Sequence, residues 1–195
     1  MVAKTYIQTY LDEVKTIADS IDQDILNEII DEFSYMHQHR GMGNRLFIVG
    51  VGGSAANASH AVNDFRKILE IESYCVTDNV SELTARINDE SWETSYASWL
   101  AGSNFSYKDT LLVLSVGGGS QTTSQNLVKA MEHAKSKSGN IISIVSRDGG
   151  MAKKLSTYCL LVPVVEDSRI TPHAEEWQSI ILHLIVSAVQ QNNNP

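Results

Sequence analysis

Two side chains in the first half of the chain are spaced for chemistry. His60 and Asp64 lie four residues apart in a segment of helical pattern, so both project from one face. An imidazole beside a carboxylate is an acid–base pair, and it can equally be a surface pair worth a few tenths of a kcal/mol. The helix that carries them opens at Gly50-Val51-Gly52-Gly53-Ser54, directly after the apolar run Leu46-Phe47-Ile48-Val49. Glycines there turn the backbone tightly and leave amide N–H groups uncovered at a helix start, where unpaired donors and the helix dipole favour an anion. No lysine follows them, as a P-loop requires, and the spacing is not the dinucleotide fingerprint. A phosphate-sized notch and an acid–histidine pair therefore fall within one or two helical turns of each other.

A second stretch repeats the device. Thr110-Leu111-Leu112-Val113-Leu114-Ser115 runs into Val116-Gly117-Gly118-Gly119-Ser120, followed by Gln121-Thr122-Thr123-Ser124 and a helical pattern from Gln125 to Lys135. Either turn alone could be a plain flexible loop. Two of them at equivalent strand ends, one rich in hydroxyls, point to a phosphate cradle of amides and hydroxyls that needs no lysine.

These groups must be held by elements, and hydrophobic period supplies them. Helical spacing runs from Thr5 to Asp19 and again from Asp22 to Met36, ending at Gly41-Met42-Gly43-Asn44. Strands are expected at 46–49, 73–76, 110–115, 141–145 and 158–162, with helices at 81–87 and 92–100 and a turn at 77–80. The last helix is expected to take Thr171 as N-cap and Pro172 as its first residue, and to end in the polar stretch Gln190–Pro195. Strands alternating with helices imply an α/β fold, a doubly wound five-stranded parallel sheet of flavodoxin-like kind preceded by two N-terminal helices. The whole chain, 1–195, is read as one domain. Residues 1–40 form a helical hairpin that packs on it or on a neighbouring subunit, so an oligomer is expected.

Composition narrows the function classes. The 195 residues are 43% hydrophobic and 19% charged, as in an ordinary globule, and the formal net charge of −8 with no basic block argues against nucleic acid. Cys75 and Cys159, the only cysteines, each sit in an apolar run and read as free thiols of a reducing compartment. No apolar stretch approaches a membrane span and no signal-peptide pattern opens the chain, so the cytoplasm is expected and a membrane partner is not. His37 and His39 read as cations near a helix C-terminus, His173 as a helix-start residue, and Trp92, Trp99 and Trp177 as packing. His183, set among Ile181, Leu182, Leu184 and Ile185, would by itself be a core histidine.

In sequence order, Gly52 to His60, Asn88-Asp89, Ser115 to Ser124, Arg147-Asp148-Gly149-Gly150, and a last helix with Glu175-Glu176 and His183 resemble the sugar isomerase (SIS) domain family. Within it they resemble the phosphoheptose isomerase branch, over nearly the whole chain. The resemblance implies that Ser54, Ser115, Ser120 and Ser124 contact a sugar phosphate, and that Gly52, Gly53, Asn88 and Asp89 line the sugar. It implies a zinc ion held by His60, Asp64, Glu175 and His183. The family pattern has glutamate where Asp64 stands, glutamine where Glu175 stands, and asparagine where Val51 stands. The second glycine loop looks several residues longer than usual, so Ser120 and Ser124 compete for one family position. Helical period puts Glu176, rather than Glu175, on the face of His183; the resemblance favours Glu175.

The activity implied is aldose–ketose isomerisation of sedoheptulose 7-phosphate to D-glycero-D-manno-heptose 7-phosphate through a metal-assisted enediolate. Asp64 or Glu175 would serve as base and His183 as partner acid, in a homotetramer. Two other readings stand beside it: an isomerase of another sugar phosphate, and a non-enzymatic SIS scaffold that binds a DNA replication initiator protein.

Overall fold

Each strand of the computed structural model is a short apolar run, and helices cover the sheet on both sides. The structure describes the backbone of residues 2–193, with side chains from residue 5 onward. The elements follow in the order α1 (Val2–Ser20), α2 (Gln23–Gln38), β1 (Leu46–Val49), α3 (Gly53–Lys67), β2 (Ser73–Cys75), α4 (Val80–Asp89) and α5 (Ser95–Gly102). Then come β3 (Thr110–Leu114), α6 (Gln125–Ser136), β4 (Asn140–Val145), α7 (Gly150–Leu155), β5 (Tyr158–Leu161) and α8 (Ile170–Asn193). The five strands are all parallel, in the order β2-β1-β3-β4-β5, the flavodoxin-like arrangement that the alternating pattern predicts.

Alternation within each strand divides the interior into two layers. Leu46, Ile48, Leu112, Leu114, Ile142, Ile144 and Leu160 face one way, onto Phe33 of α2, Phe65 of α3 and Ile181 and Ile185 of α8. Phe47, Val49, Leu111, Val113, Ile141 and Val145 face the other way, onto Tyr96, Trp99 and Leu100 of α5 and Leu127 and Met131 of α6. Burial on both faces is why these strands read as continuous apolar runs. The second helix of the leading pair, capped by Asp22, is part of the first layer through Leu26, Ile29, Ile30, Phe33 and Met36. At the entry edge of the sheet, Asp109 is fully enclosed and accepts from Arg45 Nε and Nη2 at 2.9 and 2.8 Å, joining the starts of β1 and β3.

Several boundaries differ from the sequence reading, each for a local reason. Val76 begins a 3-10 turn, Val76–Asp78, instead of ending β2. The helix expected at 92 starts at Ser95, because Ser91 Oγ takes the Thr94 N–H in a tight turn first. The short α7, after Gly149, was not anticipated. Thr171 is not the N-cap of the last helix: a 3-10 turn, Asp167–Arg169, leads directly into α8, and Glu166 takes the Ser168 N–H. Pro172 falls in the first turn all the same, where its missing N–H leaves no partner wanting. The polar end is helical through Asn193, and Asn194 and Pro195 lie outside the described residues.

Candidate functional site

The strand order reverses between β1 and β3, which pair directly with Val49 opposite Val113. A crevice opens beyond the carboxyl ends of strands at such a point. Here the two chain exits on its walls are the two glycine turns.

The first turn is held from behind and open in front. Gly52 adopts φ 66° and ψ −131°, which a side chain would forbid, and its carbonyl accepts from Ala55 and Ala56 to start α3. Tyr96, 1% exposed, donates from its hydroxyl to Gly50 O at 2.9 Å and pins the turn to the second layer. Burial pushes the Tyr96 hydroxyl up to about 12, so it stays a donor at every physiological pH. No side chain caps α3. Ser54 Oγ, in its first turn, is buried and has no hydrogen-bond partner among the described residues. A buried hydroxyl left unpaired is costly, and its position at a helix start suits an anionic ligand.

Glu175 stands over the same turn. A Cβ on Gly53 would overlap its carboxylate, so the glycine is what admits the acid to the start of α3. Asn57 Nδ2 donates to Glu175 O at 2.8 Å and lies 3.3 Å from Gln178 Oε1, which locks α3 alongside α8 in parallel.

Two turns further along, the same two helices build a cluster of donors. His60 Nε2 is 3.0 Å from His183 Nε2 and 3.3 Å from Asp64 Oδ2, and His183 Nε2 is 3.5 Å from the same oxygen. Both imidazoles are 55% exposed while the Asp64 side chain is 13% exposed, so a buried carboxylate backs two solvent-facing rings. A tetrahedral ion with bonds of about 2.0–2.1 Å needs donors about 3.3 Å apart, so these three separations suit one small cation of the zinc type. Imidazole, imidazole and carboxylate also match such an ion chemically. His60, Asp64 and His183 can therefore hold a metal ion.

Glu175, named with these three on resemblance, is not brought into the cluster; its carboxylate lies against Gly53 instead. Glu176, which helical period favoured, accepts from Tyr10 on α1 at 2.5 Å and so faces away from α3. His173 is a buried structural residue, with Nε2 at 2.9 Å from Glu13 Oε2. Glu13 is bound in turn by Arg169, which with His173 holds its carboxyl down at about 2. This clasp fastens α1 to the start of α8.

The second turn is a closed loop. Ser115 Oγ accepts from Gly118 N at 3.1 Å, and Ser120 Oγ accepts from Thr122 N and Thr123 N at 3.2 and 3.1 Å. Gln125 Nε2 donates to Ser120 O. A hydroxyl that accepts in this way keeps its own proton for an anion. Gly118 O and Gly119 O accept from Ala152 N and Met151 N of α7, and a Cβ on Gly118 would overlap Gly149. Ser124, the residue before α6, is left-handed at φ 51°; its carbonyl accepts from Leu127 N and Val128 N, and its hydroxyl makes no capping bond. Asn88 and Asp89 end α4, exposed, with Asn88 Nδ2 donating to Asp89 Oδ1 at 2.7 Å; no hydrogen bond among the described residues joins them to either turn.

Sequence reasoning missed Tyr96, which the pattern presents as one more packing residue of a core helix. It also missed Asn57 as the tie to α8. Only the polar ends of these side chains, among apolar neighbours, could have marked them.

Comparisons with known proteins place the chain in a family and a fold. A family model described as SIS domain matches residues 9–146. A phosphoheptose isomerase of Aneurinibacillus thermoaerophilus is 27% identical over 193 residues, which are 95% of this chain and 93% of that protein. Phosphoheptose isomerase 2 of Campylobacter jejuni is 32% identical over 154 residues, 76% of this chain and 72% of its own. The solved phosphoheptose isomerase of Francisella tularensis superposes with a TM-score of 0.80 at 19% identity, over 97% of this chain and 96% of that one, a likeness of fold.

Proposed function

The chain belongs to the SIS domain family, and from that premise we propose that it interconverts sedoheptulose 7-phosphate and D-glycero-D-manno-heptose 7-phosphate. The observation that carries the proposal is the construction of α3, which opens on a glycine notch for an anion and bears two of three clustered metal donors. Relatives named phosphoheptose isomerase supply the substrate class.

In this reading the phosphate is held by the amides at the start of α3 and by the hydroxyls of Ser54, Ser115, Ser120 and Ser124. Anchoring the far end of the sugar fixes where its carbonyl end falls. Gly52 and Gly53 flank the sugar, with Asn88 and Asp89 assigned to its lining on resemblance. Glu175 takes the proton from C1 and returns it to C2, the former carbonyl carbon, while the hydroxyl proton passes from O1 to O2 at the enediol stage. Its carboxylate lies against Gly53 and accepts no side-chain hydrogen bond among the described residues, whereas Asp64 is engaged with both imidazoles. His183 is assigned to the cluster through its Nε2, which lies 3.0 Å from His60 Nε2 and 3.5 Å from Asp64 Oδ2, and the role of partner acid that the resemblance gives it would fall to its other ring nitrogen. A divalent ion, zinc in this proposal, bound by His60, Asp64 and His183, would supply Lewis-acid polarisation of the carbonyl. The chain assembles as a homotetramer in this reading, and exposed Tyr6, Ile7 and Leu11 of α1 with Ile180 and Leu184 of α8 offer the apolar surface for it. The reading places the protein in the cytoplasm, in keeping with two unbridged cysteines.

An NMR time course with sedoheptulose 7-phosphate, run on chelator-treated protein and again with zinc restored, tests the proposal. Zinc-dependent formation of an aldoheptose 7-phosphate is the expected result. Turnover unaffected by chelation would remove the metal from the reading, and no turnover with zinc bound would remove the sugar.

A further inference from the structure

The cradle described so far offers a phosphate only neutral donors. Neither Gly50–Ser59 nor Ser115–Ser124 contains a lysine or an arginine, in a chain of net charge −8. A dianion bound there would go without a counter-charge unless another segment provides one.

Arg147 is placed to do so. It follows β4 and Ser146, in the loop that packs on the second glycine turn through Ser146 N to Val116 O at 3.0 Å. Its stem lies over Gly117: a Cβ built there would be 3.7 Å from Arg147 Cδ and 4.0 Å from Nε. Its guanidinium has no partner among the described residues. Of the six arginines, Arg40 binds Glu70, Arg45 binds Asp109, Arg66 binds Ser73 O, Arg86 binds Glu82 and Glu90, and Arg169 binds Glu13. Among the described residues Arg147 is the one arginine whose side chain makes no hydrogen bond or ion pair, although its five donors suit a phosphate.

The backbone supports the same conclusion. Among the described residues five non-glycine residues have positive φ, and three of them, Glu70, Asn104 and Ser138, follow the ends of α3, α5 and α6, where left-handed residues ordinarily stop helices. The other two are Ser124, in the second glycine loop, and Arg147, in the loop that packs on it, at φ 51° and 55°. An arginine held left-handed is strained, and such strain gathers at ligand sites.

We propose that Arg147 is the cation of the phosphate cradle, reaching over Gly117 to pair with the substrate's phosphate and making the site select phosphorylated sugars. This rests on the isomerase reading for the sugar, but the anion site itself can be tested without it. Inorganic phosphate is titrated by calorimetry into the intact wild-type protein and into Arg147→Gln, Arg147→Gly and Arg147→Lys. Gln and Gly are expected to weaken phosphate at least about tenfold and Lys by less, with the salt dependence of binding reduced in the two neutral variants. Arg147→Gly removes strain together with charge, so it should also unfold at a higher temperature, which separates lost binding from lost folding. With sedoheptulose 7-phosphate the neutral variants should lose kcat/KM, most of it in KM. Phosphate binding that is equal in wild type and Arg147→Gln, or absent in wild type, overturns the proposal. Phosphate binding that depends on Arg147, without turnover of the heptose phosphate, leaves it standing and refutes the sugar assignment instead.

Discussion

Replacing Ser54 by alanine should move stability and binding in opposite directions. Ser54 is 1% exposed, and its hydroxyl has no hydrogen-bond partner among the described residues. Leaving a buried hydroxyl unpaired costs about 1–3 kcal/mol, and alanine is a better helix residue than serine by roughly 0.5 kcal/mol. Ser54→Ala is therefore expected to gain about 1.5–3.5 kcal/mol, raising the thermal midpoint by roughly 3–14 °C for a chain of this size. A phosphate at the start of α3 would lose one charge-assisted hydrogen bond, worth about 1.5–3 kcal/mol, or roughly 10- to 100-fold in affinity. Ser115 is the control, because its hydroxyl already accepts the Gly118 N–H at 3.1 Å. Ser115→Ala should lose stability by about 1 kcal/mol as well as binding. Urea unfolding of the three proteins, with calorimetric titration of inorganic phosphate, measures both quantities. A Ser54→Ala protein that is less stable and binds phosphate normally would refute the claim that this hydroxyl is reserved for a ligand.

Other perturbations test the remaining parts of the argument. His60→Ala or His183→Ala should lower bound zinc at least about tenfold by elemental analysis while leaving the circular dichroism spectrum unchanged, and full zinc content in either variant would dissolve the cluster. The Glu13 carboxyl is depressed from 4.5 to about 2 by Arg169 and His173, so the stability it contributes is complete above pH 4.5 and is lost as pH falls through about 2. Hydrogen exchange of α1 should accelerate across that window, and Glu13→Gln should exchange fast already at neutral pH; equal protection in both proteins would sever the clasp from α1. Asp109→Ala strands Arg45 without its enclosed partner and should cost about 3 kcal/mol in urea unfolding, whereas a change below about 1 kcal/mol would show that the pair is not what joins β1 to β3.

The two glycine turns were legible because strand, turn and helix are all local signals. Leu46–Val49 and Thr110–Leu114 are apolar runs in sequence and buried strands in space, and each is followed at once by its glycines. The pairing of His60 with Asp64 was legible for the same reason, since a helix brings residues four apart to one face. The partner across from them was not. His183, surrounded by apolar neighbours in sequence, is 55% exposed in the folded chain and meets His60 because α8 lies beside α3, 123 residues away.

Glu175 and Glu176 show where local reasoning ends. Helical period put Glu176 on the face of His183, yet Glu176 serves Tyr10 on α1 and Glu175 faces Gly53. What decided between them was the packing of α8 between α1 and α3, a property of three segments far apart in the chain. Likewise the hydrogen-bond needs of Ser54, Ser115 and Ser120 cannot be told apart from residue type. Only the closed geometry of each loop leaves one hydroxyl unpaired and engages the others.

By itself, then, the sequence determined the elements, their parallel sheet and the two anion-favouring turns, because hydrophobic period, glycine and helix geometry act over a few residues. The tertiary structure alone decided which strand ends lie side by side, which histidine completes the cluster and which acid stands over the notch. Those choices depend on how α3 and α8 pack across the sheet, and the free energy of that packing comes from burial spread over the whole chain.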